Sequence, residues 1–137
     1  MRFNLTSKLL FMVFALSLLT LGAGLNTASA DDSLDGKTFE IKIKEHSGSD
    51  EVRDDVLTFK DGKFLSKDCE QYGFGAAPYE HRTQDGVTLF ITSTTSEKEG
   101  LIQWEGKVEG DQISGTMIWE KAGQDAIFYK YKGSLKK

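Results

Sequence analysis

"WEGKVEGDQISGTMIW", residues 104–119, decides the fold. Gly110-Asp111, with glycine first, reads as a type II′ hairpin turn. Pairing outward from it sets Val108 against Ile113, Gly106 against Gly115, Trp104 against Met117, and Ile102 against Trp119. All of these are apolar or glycine. The other face carries Gln103, Glu105, Lys107, Ser114, Thr116 and Glu120. Side chains alternate along a strand, so a slip of one residue would send each of them to the wrong face. The register is therefore specified by the pattern itself.

The neighbouring stretches follow the same period of two. In "AIFYKYKGSL" (126–135), a loop of odd length around Ala122-Gly123-Gln124 pairs Trp119 with Ile127, Met117 with Tyr129, and Gly115 with Tyr131. A loop of even length would turn Lys130 inward, where an unpaired charge is costly. Gly106 and Gly115 leave a gap on the inner wall, and the Tyr131 ring is expected to lie across it. In "LTFKDGKFLS" (57–66), Asp61-Gly62 pairs Phe59 with Phe64 and Leu57 with Ser66. "KTFEIKIK" (37–44) puts Phe39, Ile41 and Ile43 on one face. The hairpin at Asp85-Gly86 is mixed on both faces. Burying Glu80 and Arg82 costs more than exposing aliphatics, so Tyr79, His81 and Phe90 are expected to face inward. Val87, Leu89 and Ile91 then form a partly exposed contact patch.

Strands are expected at about 37–45, 54–60, 63–68, 78–84, 87–95, 100–108, 112–120 and 126–135, with no helical stretch between them. Consecutive hairpins with one apolar face point to an all-β fold, an eight-stranded antiparallel up-and-down barrel. A two-sheet β-sandwich is the alternative.

The N-terminus reads differently. Arg2 and Lys8 precede the apolar run 9–25, and Ala28-Ser29-Ala30 is a small-x-small cleavage pattern. Residues 1–30 are expected to be a cleaved secretory signal peptide, leaving 31–137 as a single domain with no membrane anchor. The expected location is the periplasm or the extracellular medium. Removing Arg2 and Lys8 leaves 15 basic against 21 acidic residues, a net charge of −6. Such a surface disfavours nucleic acid as a partner. Cys69 is the only cysteine, so no internal disulfide is available.

"LDGKTFEIKIK", the chain of hairpins ending in "WEGKVEGDQISGTMIWEK", and "IFYKYKGSL" together resemble the small lipocalin-like barrels of the calycin group. They also resemble exported bacterial proteins of that shape with no assigned function. At the lipocalin Gly-x-Trp hallmark this chain has Gly36-Lys37-Thr38. The resemblance implies a barrel holding a small apolar ligand in its mouth, and no catalytic residue.

Candidate site residues follow from the barrel. Tyr72-Gly73-Phe74-Gly75 alternates aromatics with glycines in a long connection, on a frame flexible enough for a lid over the mouth. Trp104, Trp119, Tyr129 and Tyr131 face inward, either as packed core or as the lining of a pocket, with Ser66 and Tyr131 supplying polar contacts. The leading expectation is a non-enzymatic barrel that binds a small apolar or aromatic ligand. The rival is a filled barrel with a protein partner at Val87, Leu89 and Ile91. A thiol enzyme using Cys69 and His81 is the third reading, opposed by Asp68 and Glu70 beside the thiol. No cofactor is implied. His46, His81 and Cys69 lack the spacing of a metal site, and "HSGSDEVRDD" (46–55) reads as a solvated acidic loop.

Overall fold

Three two-residue turns lie at one end of the barrel and the longer connections at the other. The computed structural model describes residues 33–137, and the expected signal peptide lies outside the described residues. The strands are β1 (Thr38–Glu45), β2 (Val52–Lys60), β3 (Lys63–Ser66), β4 (Ala77–Gln84), β5 (Val87–Ser96), β6 (Gly100–Glu109), β7 (Gln112–Glu120) and β8 (Ile127–Leu135). Each pairs antiparallel with the next, and β8 closes on β1. This is a closed up-and-down barrel rather than a sandwich.

The turn chemistry sets the registers. Asp61-Gly62 and Asp85-Gly86 have positive φ at both residues, as a type I′ turn requires. Phe59 pairs with Phe64, Gly106 with Gly115, Trp104 with Met117, and Gly115 with Tyr131. The Tyr131 ring covers the glycine gap, and its hydroxyl donates to the Glu105 carbonyl at 2.8 Å.

The lower barrel is solid. The Phe59 ring meets Phe64 at 5.4 Å and both Tyr79 and Phe90 at 5.0 Å, all edge to face. Above them Trp104 lies 5.1 Å from Phe64 and 5.5 Å from Tyr131. The N-terminal segment closes the turn end. Leu34 is fully buried there, while Asp35 accepts from the Gly62 amide at 2.9 Å and from the Tyr79 hydroxyl at 2.6 Å.

Two local expectations are corrected. The third strand stops at Ser66, and Lys67–Glu70 forms one turn of helix, α1. Ser66 caps it, its hydroxyl accepting from the Cys69 amide at 3.3 Å. His81 does not join Tyr79 and Phe90 inside; it is exposed. The short β3 pairs with β4 only at Lys63–Pro78 and Phe64–Ala77. Beyond them the Tyr79 amide donates to the Gly62 carbonyl at 3.3 Å, and the His81 ring lies tilted beside that of Tyr79, 5.7 Å between centroids.

Candidate functional site

The end with the long connections holds a cavity of about 310 Å³. Its apolar wall comes from successive inward positions of neighbouring strands: Ile43 on β1, Ile102 on β6, Met117 and Trp119 on β7, and Tyr129 on β8. The connection after α1 brings Phe74 and Tyr72 over it, and α1 contributes Cys69 and Asp68. Arg53 on β2 and Glu99 on the β5–β6 connection complete the rim.

Of the residues expected to bind ligand, Tyr72, Phe74, Trp119 and Tyr129 meet at this cavity. The other three, Trp104, Tyr131 and Ser66, do not line it. Trp104 and Tyr131 are buried in the packed core one layer below. The Tyr131 hydroxyl is engaged by the Glu105 carbonyl, and burial pushes its pKa well up. Ser66 is also buried, and its hydroxyl serves α1 rather than the cavity.

The lid is firmer than its glycines suggest. The amides of Tyr72 and Phe74 donate to the Cys69 carbonyl at 3.0 and 3.3 Å, and Gly73 donates to Glu70 at 2.9 Å. Ser96 Oγ donates to the Tyr72 carbonyl at 2.7 Å. Gly73 has φ +87°, and a Cβ there would meet Ser96 Oγ at 2.9 Å. That glycine is needed for a close approach, not for mobility. Phe74 is buried beneath the loop, whereas Tyr72 is 48% exposed at its outer edge.

Period two carried back from Leu57 puts Asp55 and Arg53 on the inner face of β2. Reading 46–55 as an acidic loop obscured this. Asp55 is buried in the strand. Its carboxylate accepts from Ser66 Oγ at 2.5 Å, the Val56 amide at 2.6 Å and the Asp68 amide at 2.8 Å. Burial raises its pKa above the ordinary aspartate value, against those three bonds. Asp55 thus anchors α1 across the barrel wall.

Arg53 sits at the rim with its guanidinium carbon 5.5 Å from the Tyr129 ring centroid. None of the ion pairs among the described residues involves it. The acids beside it are already engaged. Glu99 pairs with Lys121 at 3.0 Å, and Asp68 accepts from Gln71 Nε2 at 2.9 Å. The Glu99 carbonyl also accepts from Trp119 Nε1 at 2.6 Å, which fixes the indole as a wall. Two charged groups at the rim, the Arg53 guanidinium and the Asp68 carboxylate, thus take part in no ion pair among the described residues, and Arg53 is the cation of the two.

The thiol reading finds no support in this geometry. Cys69 is 8% exposed, and burial first of all pushes its pKa up to about 11. No hydrogen bond links it to His81 among the described residues, and His81 does not line the cavity. Among the described residues no group of three His, Cys, Asp or Glu is placed to hold a metal. A wider groove of about 1060 Å³ crosses the outside of β8, β1 and β2. Charged side chains such as Glu40, Lys67 and Lys132 are among those that line it, and the Lys42–Asp54 pair spans part of it at 2.7 Å.

Neither a protein-family model, nor a curated protein, nor a solved structure matches this chain.

Proposed function

We propose that this protein binds a small, flat, mainly apolar molecule with an acidic group in the mouth cavity, without catalysing a reaction on it. One observation carries the reading: an apolar cavity walled by Trp119, Tyr129, Met117 and Ile102 has at its rim a guanidinium, Arg53, that is in none of the ion pairs among the described residues. Pockets for small molecules combine apolar walls with a few polar groups that set orientation. A guanidinium suits a carboxylate because its fork can bind both oxygens.

Size narrows the class further. The cavity volume of 310 Å³ is about ten times the ~30 Å³ share of one liquid water. That favours an aromatic or short branched acid over a long acyl chain. The barrel is lipocalin-like in outline, and we extend the likeness to carriage of a ligand. The N-terminal sequence adds that the protein works after export, in the periplasm or outside the cell.

Trp119 is a built-in reporter. Titrating the protein with aromatic carboxylates, with the matching amides as controls, should give a saturable fluorescence change for the acids. Arg53→Gln should reduce the preference for acid over amide roughly tenfold, the scale of one charge-assisted hydrogen bond. Silence toward every ligand at millimolar concentration would sink the binding role. An acid preference unchanged in Arg53→Gln would sink the anchoring role alone.

A second reading has its own observation. Leu89 and Ile91 are 45% and 54% exposed, side by side on the outside of β5, and Val87 is half-buried beside them. Exposed adjacent aliphatics on a strand suit a protein contact.

A further inference from the structure

The outer face of β4, β5 and β6 carries a charge pattern that is complementary to itself. Registers place Glu80, Ile91 and Glu105 in one row across the three strands, and Arg82, Leu89 and Lys107 in the next. One row is acid, aliphatic, acid; the other is base, aliphatic, base. All six side chains are exposed. No ion pair among the described residues involves any of these four charges. Beside them a groove of about 400 Å³ follows the bend of the sheet at Gly106 and Gly115, lined by Leu89, Ile91 and Lys107 among others.

We propose that this face is the interface of a symmetric homodimer, its two-fold axis running across the strands between the two rows. Rotation about that axis lays the acidic row of one copy on the basic row of the other. Ile91 meets the second copy's Leu89, Glu80 meets its Arg82, and Glu105 meets its Lys107. The axis generates each contact twice, as an isologous interface requires. The flanking positions also match without like charges: Val87 meets Ser93, and Glu109 meets Gln103, in rows given by the same registers.

The choice of a second copy rests on that complementarity. A partner of one charge sign would suit one row and be repelled by the other. An uncharged partner would leave four ionic groups desolvated and unpaired. The barrel itself directs association to a face, because its closed sheet leaves almost no edge for strand addition. The shortest pairing is that of β3 with β4, which ladders at Lys63–Pro78 and Phe64–Ala77.

Sedimentation equilibrium of the protein from micromolar to millimolar concentration tests the proposal. The expected result is a reversible monomer–dimer equilibrium that weakens as salt rises. Ile91→Glu should abolish the dimer. Lys107→Glu should weaken it at least tenfold by setting like charges together. The exchanged pair Glu105→Lys with Lys107→Glu should restore it, since complementarity returns. These positions are exposed, and circular dichroism will check that each variant is folded. A protein monomeric at every concentration overturns the proposal. So does a dimer indifferent to Ile91→Glu and Lys107→Glu, which would place association elsewhere on the barrel. A dimer weakened by Lys107→Glu but not restored by the exchange also overturns the rotational pairing.

Discussion

Removing the Asp55 carboxylate tests how the mouth is built. In Asp55→Ala the Ser66 hydroxyl and the Val56 and Asp68 amides lose their acceptor. A hydrogen bond to a charged group contributes about 1.5–3 kcal/mol. Against that loss stands relief from burying a carboxylate, the same burial that raises its pKa. The two amides are only part-buried, so water replaces some of what they lose. The net expectation is about 2–3 kcal/mol of destabilisation by urea unfolding, a large share of the ~5–15 kcal/mol typical of a small domain. Asp55→Asn retains an oxygen for both amides and should cost within about 1 kcal/mol. The two variants also differ in pH response. The folded pKa lies above the ordinary value of 3.8, so the native chain holds this proton more tightly than the unfolded chain. The contribution is full below pH 3.8 and is lost as pH rises through the folded value. Wild-type stability relative to Asp55→Asn should therefore fall across that window and level off above it. Equal stability of the wild type and Asp55→Ala, or a difference from Asp55→Asn that does not change with pH, would refute the reasoning.

Gly106→Ala should destabilise by about 1–3 kcal/mol through overpacking, because its Cβ would press on Tyr131 Oη and lie 2.8 Å from Phe90 Cε1. Tyr131→Phe removes the nearest obstacle, so the double variant should be less destabilised than the sum of the singles by urea unfolding. Gly115→Ala should gain less from Tyr131→Phe, because its Cβ would also strike the Glu105 carbonyl and lie 2.7 Å from Gly106 Cα. Thr94 Oγ1 is buried without a hydrogen-bond partner among the described residues. Thr94→Val should accordingly be neutral or stabilising by up to about 1 kcal/mol in thermal unfolding. The Cys69 thiol, held protonated with a pKa of about 11, should resist a thiol reagent at pH 7.5 and react fully in urea. Rapid labelling of the folded protein would reverse that assignment.

Much of this architecture is local and therefore readable along the chain. Alternation with a period of two and turns such as Asp61-Gly62 and Gly110-Asp111 fix which residues face each other. Most strands pair with a sequence neighbour across a short turn, so the registers of the hairpins at 61–62, 85–86 and 110–111, that of β7 with β8, and the Tyr131 ring over Gly106 and Gly115 follow from short-range pattern. The exposed pair Leu89 and Ile91 follows too, because the charged residues beside them cannot go inside.

Closure of β8 on β1 joins distant parts of the chain and depends on sheet curvature, which a linear pattern does not carry. Depth along the barrel axis is likewise a tertiary property. Trp104 and Trp119 share one face of the sheet, yet Trp104 is sealed among Phe64 and Tyr131 while Trp119 stands in the cavity wall. Ser66 looked like a ligand contact until folding brought Asp55 to its hydroxyl, eleven residues away. Leu34 closes the turn end only because the Gly62 amide and the Tyr79 hydroxyl bind Asp35 beside it. Parity places a side chain on a face. How much of that face is filled depends on which rings from other strands reach the same level.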